Sequence, residues 1–170
     1  MKDNLLIIGF GMYGSVVKEI AEALNVFEKI SFLDDNVESE YKVGVFADYE
    51  KFSAEYSYAI PALGNAKLRS EWIEKLEKAG YKIPVLIHPK AYVSPSAQIM
   101  NGTIVEPMSV IHCNTIINMG CIISAGAVIN HNCTVGSFCH IICSANNYID
   151  SDLFLDIGSC SYKSLCKNAI

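Results

Sequence analysis

The sequence predicts a small α/β domain followed by a three-sided coil of short parallel strands, and three observations predict it. A glycine loop, Gly9, Gly11 and Gly14, stands between an apolar run and a helix-spaced run. From Val93 onward, β-branched aliphatics recur at every sixth residue. The alternation of strands with helices stops where that six-step begins, which sets two domains, 1–86 and 87–170.

In the first half, Leu5–Ile8 reads as a short apolar strand. Val16, Val17, Ile20, Ala21 and Leu24 follow at helical spacing. Ile30–Leu33 is a second strand ending in Asp34-Asp35-Asn36, and a third lies near Val43–Phe46. Tyr58–Leu63 is a fourth, ending at Gly64-Asn65. Leu68, Trp72, Ile73 and Leu76 mark a helix that Gly80 stops, and Val85–Ile87 is a last strand before His88-Pro89. Strands alternating with helices imply a parallel sheet with helices on its faces. Only some 85 residues precede the repeat, about half of a full Rossmann domain.

The second half follows a different rule. Val93, Ile99, Val105, Ile111, Ile117, Ile123, Ile129, Val135 and Ile141 lie six apart. Two residues before each stands a small residue: Ala91, Ala97, Thr103, Ser109, Thr115, Cys121, Ala127, Cys133 and Cys139, with Ala145 continuing the series. A helix repeats near 3.6 and a plain strand at 2, so a period of six defines a solenoid. Each hexad makes one flat side of a left-handed parallel β-helix, with the aliphatic stacked inward and the small residue at the crowded corner. Regular coils are expected over 93–146 and an irregular tail over 147–170, because Asn147 breaks the series and the chain is short at its C-terminal end.

Composition narrows the function. The net charge is −5, and the 13 basic residues form no dense cluster, which argues against nucleic acid as the main partner. Apolar runs are interrupted by Asn, His or Gly before they reach membrane-span length. The N-terminus runs straight into a strand, so a cytoplasmic protein is expected. The seven cysteines, at 113, 121, 133, 139, 143, 160 and 166, contain no Cys-x-x-Cys pair and are expected as free thiols. Cys121, Cys133 and Cys139 occupy the small inward slot and read as buried hydrophobes.

The glycine loop offers backbone N–H groups to a phosphate at a helix N-terminus. Asp34, about twenty residues beyond, also fits a dinucleotide site, but the half-sized domain disfavours a dehydrogenase. Among the four histidines, His88 reads as a linker residue and His112 as structural. His131 falls near a coil corner, and His140 points away from the coil interior by strand alternation.

The glycine loop, Leu33-Asp34-Asp35-Asn36, Leu63-Gly64-Asn65, Ile87-His88-Pro89, Val93-Ser94-Pro95-Ser96-Ala97 and Asn130-His131-Asn132-Cys133 together resemble the sugar acetyltransferases of the PglD/NeuD type. The resemblance covers about residues 3–146. It implies a homotrimer that moves an acetyl group from acetyl-CoA to a UDP-linked amino sugar for surface glycan synthesis, with acetyl-CoA as co-substrate and no metal. It implies the UDP-sugar at Gly9, Gly11, Met12, Tyr13, Gly14, Asp34, Asp35, Gly64 and Asn65, with Tyr13 standing where the family usually has histidine. It implies His131 as the catalytic base, Asn132 as the residue orienting it, and Ser124 and His140 at acetyl-CoA. The family usually has a carboxylate at the position of Asn132. No Asp or Glu occurs between Glu106 and Asp150, so Asp150, Asp152, Asp156 or another subunit would have to supply one. Two alternatives stay open: a sialic acid or other sugar O-acetyltransferase, and a catalytically inactive nucleotide-sugar-binding trimer.

Overall fold

The computed structural model describes residues 3–142 and the strands at 148–149 and 154–155. The chain divides into two compact units, Met1–Leu86 and Ile87–Ile170.

The first unit carries β1 (Asp3–Ile8), α1 (Met12–Leu24), β2 (Phe27–Leu33) and β3 (Lys42–Gly44). A 3-10 helix (Phe46–Phe52), β4 (Tyr58–Pro61) and α2 (Ala66–Lys78) follow. The sheet order is β3-β2-β1-β4, and every pairing is parallel. Leu5, Leu6, Ile7 and Ile8 of central β1 are fully buried, as apolar residues of an inner parallel strand must be. From α1, Val17, Ile20 and Ala21 pack inward at the spacing the sequence predicts. Gly80 ends α2 in a Schellman turn, with Gly80 N–H bonding Glu77 O at 3.0 Å and Tyr81 N–H bonding Leu76 O at 3.0 Å. Its φ of +91° explains why glycine stands there. The 3-10 helix carries no apolar period and is not foreseen by the sequence reading.

The second unit is the expected left-handed parallel β-helix. One face stacks β5 (Leu86–Ile87), β8 (Ile104–Val105), β11 (Ile122–Ile123) and β14 (His140–Ile141). The next stacks β6 (Tyr92–Val93), β9 (Val110–Ile111), β12 (Val128–Ile129) and β15 (Tyr148–Ile149). The third stacks β7 (Gln98–Ile99), β10 (Ile116–Ile117), β13 (Thr134–Val135) and β16 (Phe154–Leu155). Ile116 pairs with Thr134, so one turn takes 134 − 116 = 18 residues. The predicted aliphatics from Val105 to Ile141 form the core with Cys121, Ala127, Cys133 and Cys139; Val93 and Ile99 are half-buried at the first turn.

The small slot also carries hydrogen bonds. Thr103 Oγ1 donates to Asn118 O at 3.0 Å, Thr115 Oγ1 to Asn130 O at 2.7 Å, and Cys121 Sγ to Gly136 O at 3.1 Å. Each bond reaches 15 residues ahead, into the next turn, and satisfies an inward carbonyl that nothing apolar could. Ser109 instead bonds Glu106 O at 2.8 Å. Among the described residues, Cys113, Cys121, Cys133 and Cys139 form no disulfide, and the last three are fully buried.

Two expectations need correction. The strand expected at Val85–Ile87 does not close the α/β sheet; Leu86–Ile87 is the first rung of the β-helix. The physical reason is register, because Ile87 lies six residues before Val93 and enters the same inward stack. The six-step does lapse at Asn147, but the ladder does not end there. Ile129 pairs with Ile149 and Val135 with Leu155, a spacing of 149 − 129 = 20, so the rungs resume two residues late. Ala145, Asn147, Asp150, Asp152 and Asp156, the thiols Cys143, Cys160 and Cys166, and the segment 161–170 lie outside the described residues.

Candidate functional site

The first candidate site lies at the carboxyl ends of β1, β2 and β4. The strand order turns back between β1 and β4, and open parallel sheets bind ligands at such a switch point. Gly9 N–H bonds Leu33 O at 2.9 Å. A Cβ on Gly9 would lie 3.1 Å from Leu63 Cδ2, so the glycine loop abuts the loop that follows β4. Gly11 is the N-cap residue of α1; it supplies no capping side chain, and no acidic residue stands in the first turn. The positive end of α1 is thereby left to an anion. Met12 beside it is 94% exposed, Tyr13 is half-buried, and Gly14 is buried under the loop.

Asp34 faces its own loop. Its Oδ2 accepts from Phe10 N–H at 2.7 Å, and its Oδ1 from Asn36 and Val37 N–H, both at 2.8 Å. Burial pushes this carboxyl up, but the three N–H donors and the Lys42 ammonium outweigh it and hold it below the usual carboxylate range. Asp34 therefore fixes the glycine loop from behind. Asp35 is exposed, and its Oδ1 accepts from Phe46 N–H at 2.9 Å. Asn65 caps α2, its Oδ1 accepting from Leu68 N–H at 3.0 Å, and Gly64 beside it is exposed.

We expect Asp34→Asn to destabilise the fold by about 2 kcal/mol, because an amide turns an N–H toward one of three donors. The pH dependence has a defined sign. A carboxyl with a lowered folded-state pKa contributes fully above its unfolded value of ~3.9 and loses that contribution as pH falls through the folded value. Wild-type stability, followed by urea titration at several pH values, should therefore drop more steeply below pH ~4 than that of the variant.

Sequence reasoning misses Arg69. It lies fully buried at the start of α2, and its Nη1 donates to Leu63 O at 2.8 Å and to Gly64 O at 3.0 Å. It holds the loop on the far side of the switch point, as Asp34 holds the near side. An arginine four residues after an N-cap asparagine, following a glycine turn, is the signal that could have found it.

The second candidate site lies on the β-helix. His131 is exposed on the turn between β12 and β13. Its Nδ1 is 3.0 Å from Asn132 Nδ2. Asn132 has the left-handed φ of +59°, its N–H bonds Cys113 O at 3.0 Å, and its Oδ1 accepts from Asn114 Nδ2 at 3.2 Å. Asn114 is also absent from the sequence reading; it becomes visible only when residues are stacked one turn apart, 132 − 114 = 18. His140 Nε2 lies 3.0 Å from Ser124 Oγ, so the structure brings together the two residues expected at acetyl-CoA. Glu106 Oε2 accepts from Ala125 N–H at 3.0 Å and steadies the turn beside Ser124.

His131 and His140 do not meet within one chain. Going round the coil, His131 marks the corner between the β12 and β13 faces, whereas His140 stands on the β14 face opposite that corner. The His112 ring meets Tyr92 edge-on at 6.3 Å between centroids, and His88 Nδ1 accepts from Lys90 N–H at 3.0 Å. Among the described residues, no cluster of His, Cys, Asp and Glu could hold a metal, and no helix is long and apolar enough to cross a membrane.

A glycine loop at a helix N-terminus on an α/β unit, followed by a hexapeptide β-helix carrying an exposed histidine, is the architecture of the hexapeptide-repeat acyltransferases. Residues 4–76 match the family model of the PglD N-terminal domain. UDP-N-acetylbacillosamine N-acetyltransferase of Bacillus subtilis (strain 168) is 31% identical over 109 residues, 60% of this chain. The chain spans 50% of the length of that curated relative. PerB from Caulobacter crescentus, solved with CoA and GDP-perosamine, is similar at 30% identity and TM-score 0.74 over 81% of this chain and 68% of that one. The acetyltransferase domain of PglB from Neisseria gonorrhoeae FA1090, solved with acetyl coenzyme A, is similar at 29% identity and TM-score 0.65 over 93% of this chain and 90% of that one. The chain belongs to the PglD/NeuD type of hexapeptide-repeat sugar acetyltransferases.

Proposed function

We propose that this protein transfers an acetyl group from acetyl-CoA to the amine of a nucleotide-linked amino sugar, with UDP as the nucleotide. The relatives act on nucleotide-linked amino sugars, and the N-terminal family match spans the glycine loop. The nucleotide phosphates sit at the N-terminus of α1, with Gly9, Gly11, Met12, Tyr13 and Gly14 around them and Gly64-Asn65 across the switch point. Asp34 and Arg69 position those two loops. Ser124 and His140 receive the thioester end of acetyl-CoA.

In the reaction the amine nitrogen attacks the thioester carbon. The C–N bond forms, the C–S bond breaks, and CoA leaves as a thiolate, which takes up the proton removed from the amine and becomes the thiol. The amine must shed a proton as it attacks, and His131 receives it; imidazole suits this because its ordinary pKa lies near neutrality. Asn132 orients that ring but brings no negative charge to support an imidazolium.

The observation that carries this reading is the placement of the two histidines. His131 and His140 lie on opposite sides of the triangular section, so one site can use both only when neighbouring copies each contribute one. A homotrimer of parallel coils, working in the cytoplasm, meets that need. An inactive nucleotide-sugar-binding trimer is the second reading, favoured by the amide at Asn132 in place of a carboxylate.

Incubating the full chain with acetyl-CoA and a panel of UDP- and GDP-linked amino sugars, with mass detection of the acetylated product, tests the proposal. Product should form with a UDP-linked amine, and His131→Ala should slow it by about 100-fold. Sugar-nucleotide binding without turnover by the wild type would favour the inactive reading. Acetylation of a hydroxyl alone would move the assignment to O-acetyl transfer.

A further inference from the structure

Three side chains at one corner of the β-helix form a directional chain. Asn114 N–H is held by Ser96 Oγ at 3.1 Å, and Asn132 N–H by Cys113 O at 3.0 Å. Both asparagines take the left-handed backbone, with φ of +57° and +59°, so their side chains leave successive turns in the same way. Asn114 Nδ2 donates to Asn132 Oδ1 at 3.2 Å. With its oxygen so engaged, Asn132 presents Nδ2 to His131 Nδ1 at 3.0 Å. An amide nitrogen only donates, so Nδ1 must accept and the ring proton sits on Nε2.

A base that removes a substrate proton through Nε2 needs the opposite tautomer, with Nδ1–H donating to its orienting group. Asn132 can provide that only by turning its oxygen toward the imidazole. Its Nδ2 would then face Asn114, which must turn as well to offer an oxygen. The two amides therefore have two concerted arrangements, each tied to one tautomer of the histidine.

We propose that Asn114 is a positioning residue that sets, through Asn132, which nitrogen of His131 carries the proton. Building on the function proposed above, this gives the corner two roles. In one arrangement His131 donates an Nε2–H hydrogen bond to the acceptor sugar or to the developing oxyanion; in the other it takes the amine proton. The arrangement seen here is the donor form, and a ligand that receives the Nδ2 of Asn114 would favour the base form.

The test compares the full-length protein with Asn114→Asp and Asn114→Gly. Aspartate offers acceptors only, so it draws Asn132 Nδ2 toward itself and leaves Oδ1 for Nδ1–H. Glycine keeps the left-handed turn and removes the amide. With 15N-labelled histidine, assigned by His131→Ala, nitrogen chemical shifts report the tautomer without any need for turnover. The wild type should show protonated Nε2, Asn114→Asp should move the tautomer ratio toward Nδ1–H by about five- to tenfold, and Asn114→Gly should fall between them. Acetyl transfer by Asn114→Asp should rise several-fold in kcat with little change in KM. An identical His131 tautomer in all three proteins overturns the proposal. A tautomer shift with an unmoved rate upholds the relay and removes His131 from its role as the base, so the two readings fail separately.

Discussion

Gly14→Ala is expected to cost at least about 3 kcal/mol and to abolish sugar-nucleotide binding. A Cβ at position 14 would lie 2.3 Å from Gly9 O and 3.1 Å from Gly9 C. Both are backbone atoms, so no side-chain rotation relieves the overlap. Relief requires moving either the first turn of α1 or the peptide after β1, and Gly9 is tied to Leu33 O at 2.9 Å. Far-ultraviolet dichroism can follow this loss directly, because the described α-helices, α1 and α2, both belong to the first unit. The helical signal should melt well below that of the wild type. Gly11→Ala is the control: a Cβ there meets nothing within 4 Å, so its effect should be small. Equal stability of the Gly14 and Gly11 variants would show that the loop yields at no cost.

Arg69→Met should cost about 3 kcal/mol, although methionine preserves much of the buried stem. The penalty falls on the two groups left behind. Leu63 O and Gly64 O lose a donor that reaches them at 2.8 and 3.0 Å, and an apolar replacement offers them none. Arg69→Lys should recover part of the loss, since one ammonium can reach one carbonyl but lacks the planar fork. Titration calorimetry with a UDP-sugar should show binding weakened about tenfold in the methionine variant, beyond any effect on melting, because the loop across the switch point is then unheld. Unchanged affinity in a folded Arg69→Met protein would remove Arg69 from the binding apparatus.

The solenoid was legible because its geometry repeats. Each inward aliphatic from Val105 to Ile141 meets the same surroundings six residues later, so one rule places them all, and Ile87 shows that the rule reaches one rung further back than the sequence reading carried it. The α/β half was legible at the level of elements, because Leu5–Ile8 and the apolar face of α1 follow ordinary strand and helix periods. What escaped is side-chain direction. Asp34 looks from sequence like a ligand-facing acid, yet both its oxygens are engaged by backbone N–H groups of its own unit. Arg69 sits in a helix rich in charge, where solvent would be the ordinary destination, and the carbonyls of the turn at Leu63–Gly64 hold it inward. Asn114 carries no signal along the chain, because its partner lies directly above it rather than beside it.

The bonds from Thr103, Thr115 and Cys121 to carbonyls 15 residues ahead bear on how such a chain can change in size. Removing or duplicating 18 residues keeps the register, as Asn118 O and Gly136 O, 136 − 118 = 18 residues apart, both accept such a bond. A slip of a single residue breaks all of them together. Growth and loss in this scaffold are therefore quantised: whole storeys can be added or taken away, while smaller edits are confined to excursions that leave the stack and rejoin it.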